Sequence, residues 1–340
     1  MNRLGGAFAR MGLAVLMTGA AAGARAQILP RILLVVGSPA GGGYDANARL
    51  VARHLGPLLP GAPGVVVQDM PGAGSLIAAN WLANSAPRDG TAIAILPNAT
   101  IFEAMLGNAN AHFDARRLNM LGSANESTAV AAVWRTAPFT RAQEFLEREI
   151  LVGSSAATSN NSVLPNLLNS LLHTKFKVVN GYPGGSGVDL ALERGEVQAA
   201  VGADYDLMKV TRRDWLREGK VRILLQASLT RHRDLPDVPT VFDLVSPENR
   251  DVLQLLMARQ TYGGLFIAPP DTLAPILAML RAGFEKMFAE PDFLADAAQA
   301  DMTIHASNAP QIEATLGRLL ASPPEVIARA TAELRRLDPQ

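Results

Sequence analysis

The sequence predicts an α/β chain in two domains, each a mostly parallel sheet flanked by helices. Three observations predict it. A short apolar run, Ile32 to Val36, leads into three consecutive glycines, Gly41 to Gly43, and then into a helical pattern. The succession of strand, loop and helix recurs with the strands that end at Asp69 and Leu96, the mark of a parallel sheet with crossover helices. The succession then repeats beyond residue 122, which gives a second domain of the same design.

Each element has its reason. Ala48, Val51, Ala52, Leu55, Leu58 and Leu59 recur at helical spacing and mark one face of the first helix, with Asp45 placed as its N-cap. Pro57, Pro60, Gly61, Pro63 and Gly64 end it. Val65 to Asp69 reads as a second strand that closes in Pro71-Gly72-Ala73-Gly74, with a helix over Ser75 to Asn84. Thr91 to Leu96 is a third strand, closed by Pro97-Asn98-Ala99-Thr100. Leu121 to Val133 reads as a strand passing into the second domain. There the strands Glu149 to Gly153, Phe176 to Val179 and Val197 to Gly202 end in the loops Gly153 to Asn160, Asn180 to Gly187 and Ala203 to Asp206. Val221 to Ser228 reads as a return strand to the first domain. Leu235 to Thr240 reads as an irregular connector and Gly263 to Ala268 as a strand. Helices near Thr272 to Ala289, Ala309 to Leu320 and after Pro323 follow. The expected domains are 27–122 with 230–340, and 123–229.

Composition narrows the function. The 340 residues are 49% apolar and 18% charged, with no net charge, so nucleic acid is not an expected partner. With no cysteine, disulfides, thiolate metal sites and a cysteine nucleophile are excluded. Residues 1–10 carry Arg3 and Arg10 without an acid, Met11 to Ala22 is apolar and small, and Ala24-Arg25-Ala26 fits a cleavage site. Residues 1–26 are therefore expected to be an export signal, which places the mature chain in the periplasm. Losing the three arginines of that segment leaves 28 basic residues against 31 acidic ones.

The strand-end loops suit an anion. A helix start exposes amides with no carbonyl partner, and the helix dipole adds to their pull. Gly41 to Arg49 lacks the Gly-Lys-Ser/Thr of a P-loop, and Gly72 to Ile77 lacks the third glycine of a dinucleotide fingerprint. Ser154 and Ser155 lie outside a G-x-S-x-G elbow. His54, His112, His173, His232 and His305 form no metal-type pair in the sequence. No catalytic residue, metal or cofactor is expected. Asp204 and Asp206, at a strand end, could meet a ligand amine or hydroxyl. Tyr44 and Tyr182 each adjoin a glycine loop.

In order along the chain, these residues resemble the extracytoplasmic solute receptors of tripartite tricarboxylate transporters. The resemblance rests on Pro39-Ala40-Gly41-Gly42-Gly43-Tyr44-Asp45, on Val66 to Gly74, and on the Pro87-Arg88-Asp89-Gly90 turn. Tyr182-Pro183-Gly184-Gly185, Leu235-Pro236-Asp237-Val238-Pro239-Thr240 and Gly264 to Pro269 continue it. It implies a two-lobed periplasmic binding protein of the type II, Venus-flytrap kind, a monomer that is not an enzyme. It also implies a small carboxylate held by backbone amides and delivered to membrane permease subunits. Carried over, the contacts are Ala40, Gly41, Gly43, Tyr44 and Gly74, with Ser155, Thr158 and Asp204 from the second domain. The loop residues Asp45, Gly72, Ser75, Asn98 and Tyr182 complete the expected ligand-binding set. A sensory module for a membrane kinase, and a hydrolase on the same scaffold, are the alternatives.

Overall fold

The computed structural model describes residues 29–157, 159–300 and 302–337. The expected export signal and Thr158 lie outside the described residues.

Two mixed sheets form the frame. The chain opens with β1 (Arg31–Val36), α1 (Gly43–Leu55), β2 (Gly64–Asp69), α2 (Leu76–Asn84), β3 (Ala92–Leu96), the short α3 (Asn98–Glu103) and β4 (Asn119–Ser123). It then crosses into β5 (Ala129–Trp134), α4 (Glu144–Glu147), β6 (Ile150–Gly153), α5 (Asn160–Leu172), β7 (Phe176–Val179) and α6 (Gly184–Glu193). β8 (Ala199–Asp204), α7 (Tyr205–Thr211), α8 (Arg213–Arg217) and β9 (Val221–Ala227) complete that side. The return runs through α9 (Pro247–Thr261), β10 (Leu265–Ala268), α10 (Ala274–Ala289), α11 (Pro291–Gln299), β11 (Ser307–Asn308), α12 (Ala309–Leu320) and α13 (Pro324–Leu337).

The first sheet has the order β11-β4-β10-β3-β1-β2, and the second β7-β6-β8-β5-β9. Parallel pairing holds where helices join the strands, as in β1 with β2 and β3 and in β6 with β7 and β8. β10 and β5 run antiparallel to their neighbours. Burial follows position. β3 is buried throughout, whereas β2, at the edge, alternates and leaves Val66 exposed. The apolar face of α1, Ala48, Val51 and Leu55, packs in one core with Phe266 of β10 and Phe284 of α10.

Several elements differ from the sequence reading. Val221–Ala227 is not a return strand to the first sheet: it pairs with β5 at the edge of the second. The return comes afterwards, through Leu235 to Thr240, strapped down by one fully buried side chain. Gln226 Nε2 donates to the carbonyls of Leu235 (3.0 Å) and Val238 (2.7 Å), and Gln226 N donates to Pro239 O (2.8 Å). Proline is tolerated there because only its carbonyl is used. The helix α9 has no counterpart in the sequence reading. Val252, Leu253, Leu255, Leu256, Met257 and Ala258 are all buried, so it shows no single apolar stripe. The short helices α7 and α8 and the helix α11 are likewise additions. No helix among the described residues is long and apolar enough to cross a membrane.

Phe266, fully buried between β3 and β4 with its ring 5.0 Å from that of Phe284, tests this core. Phe266→Ala should lower unfolding free energy by about 3–5 kcal/mol in a denaturant titration.

Candidate functional site

Three loops converge at the carboxyl ends of β1, β2 and β3. Gly42, extended at φ −79° and ψ 170°, is the residue before α1 and offers no side-chain cap. Asp45, expected as the N-cap, sits instead within the first turn, buried. Its Oδ2 accepts the amide of Gly41 at 2.7 Å and its Oδ1 meets Arg49 Nε at 2.8 Å. The guanidinium of Arg49 and then the Gly41 amide hold its carboxyl below the ordinary carboxylate value. Ala46 N bonds Gly42 O, so the first intrahelical bond starts there. The amides of Gly43, Tyr44 and Asp45 precede it and have no carbonyl within the helix to accept them.

The second loop is conformationally unusual. Gly72, Ala73, Gly74 and Ser75 all take positive φ, at 134°, 47°, 61° and 73°. For Ala73 and Ser75 this costs about 1–3 kcal/mol each unless neighbours enforce it. One neighbour does: the buried Ser75 hydroxyl donates to Gly37 O at 2.8 Å, clipping the second loop to the first. Gly37 has to be glycine, since a Cβ there would lie 2.6 Å from Ser75 Cβ. The third loop joins through Thr100 Oγ1, which donates to Gly74 O at 3.0 Å.

Between the two sheets lies a cleft of about 630 Å³. One wall is the face of α1, with Gly43, Asn47, Arg49 and Arg53; the other is Ser127, Asp204, Asp206 and Leu207. Asn125, Glu126 and Gly263 form its floor. The floor is where the chain crosses between sheets: Ser127 N donates to Thr261 O (2.8 Å) and Gly263 N to Asn125 O (3.0 Å). Asp204 caps α7 by accepting Leu207 N at 2.8 Å and also accepts the Ser127 hydroxyl at 2.6 Å.

Of the expected site residues, Gly43 and Asp204 line this cleft. Ala40, Gly41 and Gly74 are exposed on the converging loops beside it, Gly72 lies half-buried there, and Asp45 and Ser75 brace those loops. Tyr44 turns its ring toward Gly264 and Ile95 and joins the core behind α1, where burial raises its hydroxyl pKa. Asn98 is buried, its amide donating to Ala258 O of α9. Tyr182 packs in the second sheet's core; burial and then Glu196 raise its pKa. Ser155 contacts Asn161 across its own loop. Asn47, Arg49, Arg53, Asn125, Glu126 and Ser127 were not expected, because they reach the cleft from a helix face and from the crossings and not from glycine loops. Arg49 and Arg53 are each already paired, with Asp45 and with Asp296 at 3.3 Å.

Beside the cleft, Asp206, His232 and His305 hold three potential ligand atoms within 4.8 Å of one another. The hydrogen bonding argues for an ion-pair cluster over a metal centre. His232 Nδ1 accepts Asp234 N at 3.1 Å, so its proton sits on Nε2, facing Asp206 Oδ2 at 3.4 Å. Lys209 Nζ lies 2.6 Å from Asp206 Oδ1. Burial works to raise the Asp206 carboxyl, but the Lys209 hydrogen bond, then His305 and the Lys209 charge, outweigh it and hold it below the ordinary value.

A cleft between two α/β lobes, bordered by an open helix start and floored by crossing strands, defines a solute-binding protein. The chain belongs to the tripartite tricarboxylate transporter family receptors, whose model matches residues 48–323. That match begins inside α1, so the Gly41–Gly43 loop lies just before it. A UPF0065 protein of a Pseudomonas species (strain P51) is 28% identical over 290 residues, 84% of this chain and 81% of that protein. A ligand-free TctC solute-binding protein from Polaromonas has the same fold at a TM-score of 0.69 and 20% identity, over 90% of this chain and 98% of that one. MatC of Rhodopseudomonas palustris, solved with bound malate, follows at 0.54 and 23% identity, over 89% and 98%. Family and fold are those of solute receptors, which are not enzymes.

Two outcomes test the site's construction. Ser75→Ala should lose about 1–2 kcal/mol of unfolding free energy, because the buried Gly37 carbonyl loses its donor. Since Asp206 titrates lower in the folded state than in the unfolded chain, its stabilisation is complete above about pH 4 and lost as pH falls below that. Melting temperatures of wild type and Asp206→Asn should therefore converge on acidification.

Proposed function

We propose that the mature chain is an exported, monomeric receptor that closes on a small carboxylate in this cleft and presents it to membrane permease subunits. The observation that carries the reading is the group of three amides at the start of α1, on a loop braced by Asp45 and clipped to its neighbour by Ser75. Such amides favour an acid group without a charged side chain. Malate in a neighbour of the same fold supports the ligand class, and family membership supports the transporter partner. The proposed lobes are 27–122 with 230–340, and 123–229. Closure would bend the crossings, with ligand favouring the closed state by its greater affinity for it. Arg3, Arg10 and the small residues before Gln27 support cleavage of residues 1–26 on export.

Calorimetric titration with citrate, succinate, malate, glutamate and aromatic acids tests the reading. At least one should bind with micromolar or tighter affinity and raise the melting temperature. Folded protein that binds none of them would contradict it.

A further inference from the structure

We infer that a second cavity, at the crossings between the sheets, is a binding site for inorganic phosphate in a form that keeps one P–O–H group. The site is distinct from the carboxylate cleft, and either reading can fail without the other.

This cavity, of about 280 Å³, shares only Glu126 with the cleft. Ligand pockets commonly run from about 300 to 1,000 Å³, so its occupant is small. It forms where the chain passes between the sheets. Leu229 and Thr230 follow β9, and Tyr262, just before β10, bridges to Glu126 of the first crossing. Two helices add cations to it. Arg250 and Gln254 sit one turn apart on α9, and Arg318 lines the cavity from α12.

Both arginines remain available. Arg49 and Arg53 of the cleft are already paired, but among the described residues neither Arg250 nor Arg318 lies within ion-pair distance of a carboxylate. Arg250 gives one N–H to Phe242 O at 3.0 Å, and its guanidinium carbon lies 5.4 Å from the Phe242 ring centre. Those contacts hold the group in place and leave most of its donors unengaged. Guanidinium forks match the oxygens of an oxyanion, and the Gln254 amide adds a neutral donor beside them.

Glu126 decides which oxyanion fits. It is half-buried, and its Oε1 accepts the Ser307 hydroxyl at 2.6 Å. Its charge reaches the buried Tyr262 hydroxyl. Burial raises the pKa of that group, Thr315 lowers it, Glu126 raises it and Arg318 lowers it, so Glu126 and Arg318 act on the same corner of the cavity. A carboxylate repels an anion that has lost every proton, and accepts a hydrogen bond from one that still carries a proton. Hydrogen phosphate keeps a P–O–H in mild alkali. Sulfate has none there, and a phosphomonoester, with its second pKa near about 6, has lost its own. Two cations against one carboxylate leave the site net positive, and a donor facing Glu126 completes the match.

The test is calorimetric titration of the full chain with phosphate, sulfate and glycerol 3-phosphate at about pH 8 and matched ionic strength. Phosphate should bind saturably, one per chain, with a Kd below about 1 mM. It should bind on the order of tenfold or more tighter than sulfate or the monoester. Arg250 and Arg318 are exposed, so Arg250→Gln and Arg318→Gln should melt as wild type does, and each should weaken phosphate about tenfold. Glu126→Gln keeps an acceptor for the Ser307 hydroxyl and should bring sulfate level with phosphate. Absence of saturable phosphate binding would overturn the inference. So would sulfate binding wild type as tightly as phosphate, or phosphate affinity unmoved in both arginine variants.

Discussion

Three backbone amides at the start of α1 set the terms for the rest of the site. They cannot be satisfied within the helix, and nothing in the sequence places a capping side chain over them. Asp45, the residue that could have capped them, is drawn back to Gly41 and held by Arg49. The helix start thus has no side-chain cap, and its first residue, Gly43, lines the cleft. The neighbouring loop, with four residues at positive φ, is held by two hydroxyls, Ser75 on Gly37 and Thr100 on Gly74.

The opposite wall is built on a different principle. Asp204 caps its own helix and receives Ser127 from the first crossing, so the second wall is tied to the chain where it passes between the sheets. Asp206 meets His232 from the returning connector and His305 from the segment before β11. Charges from separate parts of the chain therefore gather where the lobes join, and any change in their angle would alter those distances.

Much of this was legible in the sequence because it depends on local chemistry. The glycine run before α1, the Pro-Gly-Ala-Gly turn after β2 and the alternation of apolar runs with helical spacing gave the two-lobed α/β fold. The connector Leu235 to Thr240 was recognisable, although its anchor, Gln226, was not, since a buried glutamine carries no periodic signal. The helix α9 escaped for another reason: its polar and apolar residues interleave around the helix, so no single stripe stands out. The cleft itself was half legible. Gly43 and Asp204 follow from strand-end logic. Asn47 faces the cleft from a helix flank, and Glu126 and Ser127 lie on a crossing whose position only the tertiary fold sets. Tyr44 and Tyr182 adjoin glycine loops as expected, yet each is half-buried and packs against the core behind its loop.

The most direct test removes one amide without disturbing the helix. Position 43 is the first residue of α1, follows an extended residue and has no atom within 4 Å of an added Cβ, so proline fits there and deletes only the N–H. For Gly43→Pro the predicted result is an unchanged or raised melting temperature with on the order of tenfold weaker binding of the acid that wild type binds best. Unchanged affinity in a folded Gly43→Pro variant would contradict the claim that the start of α1 grips the ligand.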